Sequence, residues 1–386
     1  MWTARSERAV PFARGSDMAV EKIKVGLIGC GTISAIYLKN RTRFDSFEIV
    51  ACADIDTDRA RARAEEFGVP RSGGVAEVLS DPEIQLVINL TIPQAHATVA
   101  LAAVRAGKSV YNEKPLTLSR EEGQLLLDEA RAKGVLVGCA PDTFLGAGLQ
   151  TCRQLIDEGA IGEPVAATAF MLGHGPEGWH PNPDFYYQVG GGPLFDMGPY
   201  YITALINFLG PVRRVSASAR ASFATRTIGS EPFKGQTITV NTPTHIAATL
   251  DFTNGAIGTL ITSFDVWSHN LPKIEIYGSE GTLSVPDPNR FDGPVLLRRA
   301  DDKEWTDVPI TRPYNDNSRI LGVADLVQAL ISGRKPRASG ELAFHVLDIM
   351  HAALESSAEG RYIEMTSSCE RPAALPAELP ERRLDD

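Results

Sequence analysis

Residues 24–40, KVGLIGCGTISAIYLKN, decide the reading of this chain, because an apolar run too short for a helix passes through glycines directly into a helical pattern. The spacing predicts a strand over 24–28 and a helix over 33–43. Gly29 and Gly31 stand where strand becomes helix, and Ser34 takes the place of a third glycine. The two glycines permit a tight turn and let backbone N–H groups approach a pyrophosphate, whose charge suits the positive end of a helix dipole. Ser34 is small enough for the helix to lie close to the strand, although it departs from the usual Gly or Ala.

The same alternation continues, with strands predicted over 48–53, 86–90, 109–111 and 135–139 and helices over 57–67, 94–106 and 120–133. Short apolar strands separated by helices need crossover connections, so the pattern implies a doubly wound parallel sheet. Gly68, Gly107 and Gly134 follow three of the helices as left-handed closing residues. Thr117 or Ser119, followed by Glu121 and Glu122, supplies a capping oxygen and an acidic first turn to the helix after it.

A lone glycine turn is a weak signal, but the second strand ends in Asp54, where a carboxylate can accept hydrogen bonds from a ribose. That combination points to NAD, since a 2′-phosphate would meet the negative charge. Arg59 and Arg61 leave NADP open, and Asp54 or Asp56 can also simply cap the next helix. Thr32, Ile33 and Ile55 flank these residues and complete the cofactor set at this end. Further on, residues 88–96, INLTIPQAH, bring Leu90, Thr91 and Pro93 to the carboxyl edge of the sheet, where ligands sit in such folds. His96 falls in the next first turn, either touching the cofactor or only packing there.

Past a linking helix at 149–158 the grammar changes to directly successive strands over 217–223, 237–252 and 256–264, with helices at 200–208, 320–331 and 342–357. The chain therefore reads as an extension (1–21), an α/β dinucleotide-binding domain (22–145), an α+β domain with a large, mostly antiparallel open sheet (146–365) and a tail (366–386). The extension reads as disordered.

Composition narrows the partners. The formal net charge of -10 over 386 residues argues against recruiting nucleic acid or anionic lipid. Five scattered cysteines without CxxC spacing suggest neither a disulfide framework nor zinc, and fit a reducing cytoplasm. No apolar run approaches the roughly twenty residues of a membrane span. His174 and His180 lack a recognisable ligand set, so no catalytic metal is expected.

Glu113-Lys114-Pro115 follows a strand expected to end beside the nicotinamide. An ammonium there can hydrogen-bond a substrate hydroxyl and stabilise an alkoxide, although Lys114 taken alone reads first as a solvated surface lysine. The loop HGPEGWHPNPDFYYQVGGG (174–192) mixes aromatic faces with His180, Asn182 and Asp184, the combination that holds sugar rings. It reads equally as a rigid proline-rich surface loop.

Together IGCGTIS, CADID, TIPQAH and NEKP, followed by GGGPLFDMGPYY (190–201) and IYGSEGTL (276–283), resemble the Gfo/Idh/MocA family of sugar and cyclitol oxidoreductases across most of 22–365. The resemblance implies that Lys114 and Asp196 flank the substrate carbon and that the Lys114-Pro115 bond is cis. It also implies that Tyr200, four residues after Asp196, stands where many members carry an acid/base histidine. A nearby ammonium can stabilise a phenolate, so Lys114 and Tyr200 can act together; Tyr200 and Tyr201 can also be plain core aromatics. Residues 139–148, CAPDTFLGAG, depart from the family pattern, and Asp142 and Thr143 there can bind substrate hydroxyls or cap a helix. The implied activity is NAD(P)-linked oxidation of a sugar, glycoside or cyclitol hydroxyl by a homodimer or homotetramer paired through the second sheet. A redox-assisted glycosidase and a silent NAD-binding regulator are the alternatives.

Overall fold

The computed structural model describes residues 22–379, 382, 384 and 385. The expectation of a disordered extension over 1–21 falls outside them.

The first sheet forms as its sequence pattern demands. β1 (Ile23–Ile28), β2 (Phe47–Ala53), β3 (Arg71–Gly73), β4 (Leu86–Asn89), β5 (Ser109–Asn112) and β6 (Val137–Cys139) lie in the order β3-β2-β1-β4-β5-β6, all parallel. The crossovers are α1 (Ser34–Asn40), α2 (Thr57–Phe67), α3 (Val75–Ser80), α4 (Pro93–Arg105) and α5 (Arg120–Lys133). Because helices cover both faces, the central strands are apolar throughout, and Val25, Leu27, Ile28, Leu86, Val87 and Ile88 are fully buried. Their order reverses between β1 and β4, which leaves a crevice at the carboxyl ends of those two strands.

α6 (Ala147–Asp157) leads into the second domain: β7 (Pro164–Leu172), α7 (Gly192–Leu209), β8 (Val212–Arg220), β9 (Thr225–Thr227), β10 (Thr237–Thr239), β11 (His245–Phe252), β12 (Ile257–Ser263), β13 (Ile274–Gly278), β14 (Gly281–Val285), β15 (Leu296–Arg299), β16 (Thr306–Asp307), α8 (Leu321–Ser332), α9 (Gly340–Glu359) and β17 (Ile363–Glu364). Nine strands form one sheet in the order β16-β15-β14-β13-β7-β12-β11-β8-β17, antiparallel except for β7 beside β12. α7 packs on β7 and β12, α9 packs on β8, and the two helices meet each other.

Three boundaries differ from the sequence reading for physical reasons. The strand expected over 237–252 divides into β10, paired with β9 in a separate ribbon, and β11 in the main sheet. Pro243 lies in the break, and a proline has no N–H to give a ladder. The helix expected at 200 begins at Gly192, with Pro193 in its first turn, where a missing N–H costs nothing. The segment after Met365 is irregular but not free: Leu375, Leu379 and Leu384 are buried, Arg153 donates to the Pro372 carbonyl (2.8 Å) and Arg312 to that of Leu375 (3.0 Å). Apolar residues spaced through the proline-rich run provide that anchorage.

Candidate active site

The glycine turn is built by close approach. Gly29 has φ 100°, and a Cβ on it would lie 2.5 Å from the Leu90 carbonyl, so the end of β4 leaves room for glycine alone. A Cβ on Gly31 would meet nothing within 4 Å: the space above that residue is open. Ser34 is fully buried and donates its hydroxyl to the Gly31 carbonyl (2.6 Å), which explains how a serine fills the third position.

Asp54 closes the turn from β2. Its Oδ2 accepts from Cys30 N–H (2.8 Å) and its Oδ1 from Asp56 N–H (3.0 Å), while Arg59 Nη1 stands 3.4 Å from Oδ1. Oδ2 retains a lone pair for a further donor. Ile55 beside it is 94% exposed and Thr32 is also exposed, so an apolar surface and a hydroxyl are offered around the turn. An open glycine turn, a carboxylate with a spare acceptor and an uncovered apolar side chain fit a dinucleotide.

At the carboxyl ends of β4 and β5 a buried amide pair organises two loops. Asn89 Nδ2 donates to Asn112 Oδ1 (2.9 Å) and to the His96 carbonyl (3.1 Å), and its Oδ1 accepts from the Thr91 hydroxyl (2.7 Å). His96 is buried, with Nδ1 2.7 Å from the Pro115 carbonyl and Nε2 3.0 Å from that of Thr91. Burial pushes its imidazole below the ordinary range against the pull of those carbonyls. The ring thus ties the Thr91 loop to the Lys114-Pro115 turn, whose peptide bond is cis as the resemblance implied. Thr91 and Pro93 line a cavity there, whereas the Leu90 side chain is buried in the core and only its backbone faces the glycine turn.

Lys114 is not a solvated surface lysine. Its Nζ donates to Asp196 Oδ1 (2.9 Å) and to the Asp196 carbonyl (2.7 Å), and it lies 5.5 Å from the centroid of the Tyr200 ring. Burial alone would push the ammonium down, but Asp196, Tyr200 and Glu113 outweigh it and hold the group above the ordinary lysine range. Glu113 accepts from Lys114 N–H (2.8 Å) and from the Tyr37 hydroxyl (3.3 Å). One turn of α7 separates Asp196 from Tyr200, so both face the same side. Tyr201 belongs to the core, being 1% exposed. Burial raises the Tyr200 phenol, Lys114 and Arg319 oppose the rise, and the balance stays above the ordinary tyrosine value. The two cations thus lower the phenol without bringing it to its ordinary value.

Lys114, Asp196, Tyr200, Tyr186 and Ile33 line two cavities at once. The first, of about 300 Å³, runs toward Thr91, Pro93 and His96. The second, of about 590 Å³, runs toward His174, Trp179, Asn289, Asn317 and Arg319. Of the residues expected to touch substrate, Asp196 and Tyr200 line both cavities, and Asp142, Thr143, His180 and Asp184 line neither. Asp142 is buried away from both cavities, its Oδ2 accepting from Ile320 N–H and Gly322 N–H (3.0 Å each), and Thr143 is buried beside it. Burial in this seam lifts the Asp142 carboxyl to about 6 despite the two amides. His180 packs edge-on against Trp179, Phe185 and Tyr186 behind the cavity wall, and Asp184 accepts from Gln188 Nε2 (3.2 Å) on the surface.

The residues that sequence reasoning missed are Arg319, Asn289, Asn317 and the clasp of the 174–192 loop. In that clasp buried Arg226 pairs with Glu177 (3.0 Å) and with Asp265, and Trp267 stacks on His174 (3.3 Å between centroids). None of them lies in a local motif. Among the described residues no group of His, Cys, Asp and Glu is gathered to hold a metal ion.

Family models match both domains. Residues 23–140 match the NAD-binding Rossmann-fold oxidoreductase model, and 149–284 match the GFO/IDH/MocA C-terminal domain. The chain belongs to the Gfo/Idh/MocA family. It is an NAD(P)-dependent oxidoreductase. The Gfo/Idh/MocA relatives include 1,5-anhydro-D-fructose reductase of Ensifer adhaerens, 26% identical over 88% of this chain and 98% of that one. Another is the myo-inositol 2-dehydrogenase of Thermotoga maritima, 23% identical over 89% of this chain and 98% of that protein. The fold is shared with an NAD binding oxidoreductase from Klebsiella pneumoniae, with a TM-score of 0.79, 24% identity and coverage of 90% of this chain and 100% of that one.

Proposed function

We propose that the protein oxidises a secondary hydroxyl of a sugar, glycoside or cyclitol, with Lys114, Asp196 and Tyr200 moving and holding the proton. The observation that carries this reading is their position on the shared wall of two cavities, one leading to the glycine-turn edge and the other lined by aromatic, amide and guanidinium groups. A bound nicotinamide supplies a hydride acceptor in one direction and a hydride donor in the other. Lys114, kept cationic by Asp196, donates a hydrogen bond to the substrate oxygen and stabilises its negative charge. Tyr200 gives its proton to that oxygen in reduction and takes it back in oxidation. Asp196 fixes the ammonium through a hydrogen bond to its side chain and another to its carbonyl.

Trp179 and Tyr186 offer flat faces to a ring, and Asn289, Asn317 and Arg319 offer donors and acceptors to its hydroxyls. The Asp54 carboxylate supports preference for NAD, since it would repel a 2′-phosphate, although Arg59 lies against it. The outer face of the nine-stranded sheet keeps Phe170, Ile257 and Ile261 partly exposed on β7 and β12. That exposed apolar face supports a homo-oligomer in which a second copy of the chain covers it. Five free thiols support a reducing compartment such as the cytoplasm, and among the described residues no helix is long and apolar enough to cross a membrane.

A panel of polyols, pyranoses and glycosides with NAD and NADP, followed by nicotinamide absorbance in wild type and Tyr200→Phe, tests the reading. Turnover that needs Tyr200 supports it. Undiminished turnover in Tyr200→Phe overturns the assigned chemistry, and released aglycone without net reduction of nicotinamide identifies a redox-assisted glycosidase instead.

A further inference from the structure

Asn317 and Arg319, in the wall of the larger cavity, come from the turn before α8, far from every motif that marks the site. Tyr314 (φ 65°) and Ile320 (φ 98°) both adopt left-handed backbone. For a β-branched residue this conformation is strained and persists only where neighbours hold it. The neighbours here are explicit. Asp142 Oδ2 accepts from Ile320 N–H and Gly322 N–H at 3.0 Å, and Asn40, at the end of α1, donates to the carbonyls of Asn317 (2.7 Å) and Arg319 (3.0 Å). Arg319 donates in turn to Asn289 Oδ1 (2.6 Å) and Asn317 Oδ1 (2.9 Å). Its guanidinium is thereby fixed in the cavity wall by amide oxygens, beside the Tyr200 hydroxyl.

Hydrogen-bond direction then decides what the contact does. A guanidinium and an ammonium have donors and no acceptor, so neither Arg319 nor Lys114 can take the hydrogen of Tyr200. Asp196 Oδ1 accepts from Lys114, and Glu113 from Lys114 N–H and the Tyr37 hydroxyl; among the described residues neither carboxylate accepts a hydrogen bond from Tyr200. Tyr200 Oη is therefore the acceptor toward Arg319, which leaves its hydrogen for an acceptor that enters the cavity.

We propose that Arg319 is a positioning residue for proton transfer, aiming the Tyr200 hydroxyl hydrogen at the substrate oxygen, and that Asp142 acts one step behind by holding the turn that aims Arg319. The inference rests on Tyr200 being the proton-transfer group. In reduction the Tyr200 O–H bond breaks as an O–H bond forms on the substrate oxygen; the phenolate left behind faces Lys114 and Arg319 until water reprotonates it. Oxidation runs the same transfer backwards. The groups that bear on Tyr200 are Lys114 and Glu113 from the loop after β5, Arg319 from the turn before α8, Tyr186 from the loop before α7, Asp196 on α7 itself and Tyr37 from α1. Lys114 and Arg319 are the two cations among them that lower the phenol against burial.

The test follows Tyr200 itself as well as turnover. Phenolate absorbance is titrated in wild type minus Tyr200→Phe, and in Arg319→Gln minus the Arg319→Gln/Tyr200→Phe double variant. The Tyr200 titration should move up by about one pH unit or more in Arg319→Gln, and the alkaline limb of kcat for oxidation should move with it. Arg319→Lys should recover much of the titration but less of kcat, because it keeps the charge and loses the fork. Asp142→Ala should lower kcat about ten-fold in the wild-type background and less than about two-fold on top of Arg319→Gln. Should Arg319→Gln misfold, Asn289→Ala removes one anchor and should give a smaller shift of the same sign.

An unmoved Tyr200 titration with kcat reduced equally at every pH overturns the proposal, as does full additivity of Asp142→Ala and Arg319→Gln. Undiminished turnover in Tyr200→Phe is a different failure, because it removes the underlying assignment of Tyr200.

Discussion

The glycine-turn end of the molecule and the larger cavity were assembled in opposite ways. At the first, Gly29, Cys30, Gly31, Ser34 and Asp54 come from one β-α-β unit, and backbone hydrogen bonds between adjacent parallel strands set their positions. At the second, Ile33, Lys114, Trp179, Asp196, Tyr200, Asn289 and Arg319 converge from segments spread across both domains. A local motif resists change because its few atoms are already at contact distance. A convergent wall is adjustable one residue at a time, which is how one fold can host many substrates.

That contrast sets what substitutions should do. Gly29→Ala forces a Cβ to within 2.5 Å of the Leu90 carbonyl at a positive φ, so it should cost roughly 2–4 kcal/mol and abolish measurable NAD binding. Calorimetry and thermal melting check both effects, and a stable, NAD-binding Gly29→Ala protein would break the idea of a rigid local turn. Tyr200 should impose the next largest effect through pH. Because burial holds the phenol above its ordinary range, the base form needed for oxidation accumulates only as pH rises. The rate of oxidation should therefore climb into the alkaline range, while the rate of reduction should fall there. Flat profiles in both directions would remove Tyr200 from the chemistry.

Asp54→Ala should weaken NAD by about ten-fold, worth roughly 1.4 kcal/mol, and affect NADP less, as equilibrium titration with each cofactor will read. Equal losses for the two cofactors would mean that Asp54 serves only to hold the Cys30 amide. Trp179→Ala should have the smallest effect, raising KM for a pyranoside about three- to ten-fold with kcat little changed, since Trp179 is 69% exposed at the cavity edge. A fall in kcat instead would place the indole closer to the reacting atoms.

The same division explains what could be read from the sequence. The parallel sheet, the turn and Asp54 were legible because strand period, glycine position and spacing are properties of contiguous residues. Lys114 was singled out by its place after a strand, whereas Asp196 and Tyr200 were named only through resemblance, since each is ordinary in its own segment. Asp142 was expected among substrate contacts and instead caps the turn at Ile320, a partner far along the chain that no local pattern announces. His180 and Asp184 do not line the larger cavity, whereas their loop neighbours His174, Trp179 and Tyr186 do. The orientation of that loop is set by Arg226 bonding to Glu177, a long-range pair invisible in the linear chain. Strand β7 was missed because its Ala-rich run has little β preference, and its central place in the sheet comes from pairing with β12 and β13.

The most direct measurement compares cofactor binding with turnover in Lys114→Ala. Fluorescence titration with NAD should give a Kd within about three-fold of wild type, while kcat on the best sugar or polyol should fall about a thousand-fold or more. Turnover surviving unchanged in a folded, NAD-binding Lys114→Ala protein would contradict the assignment of the chemistry to the wall between the two cavities.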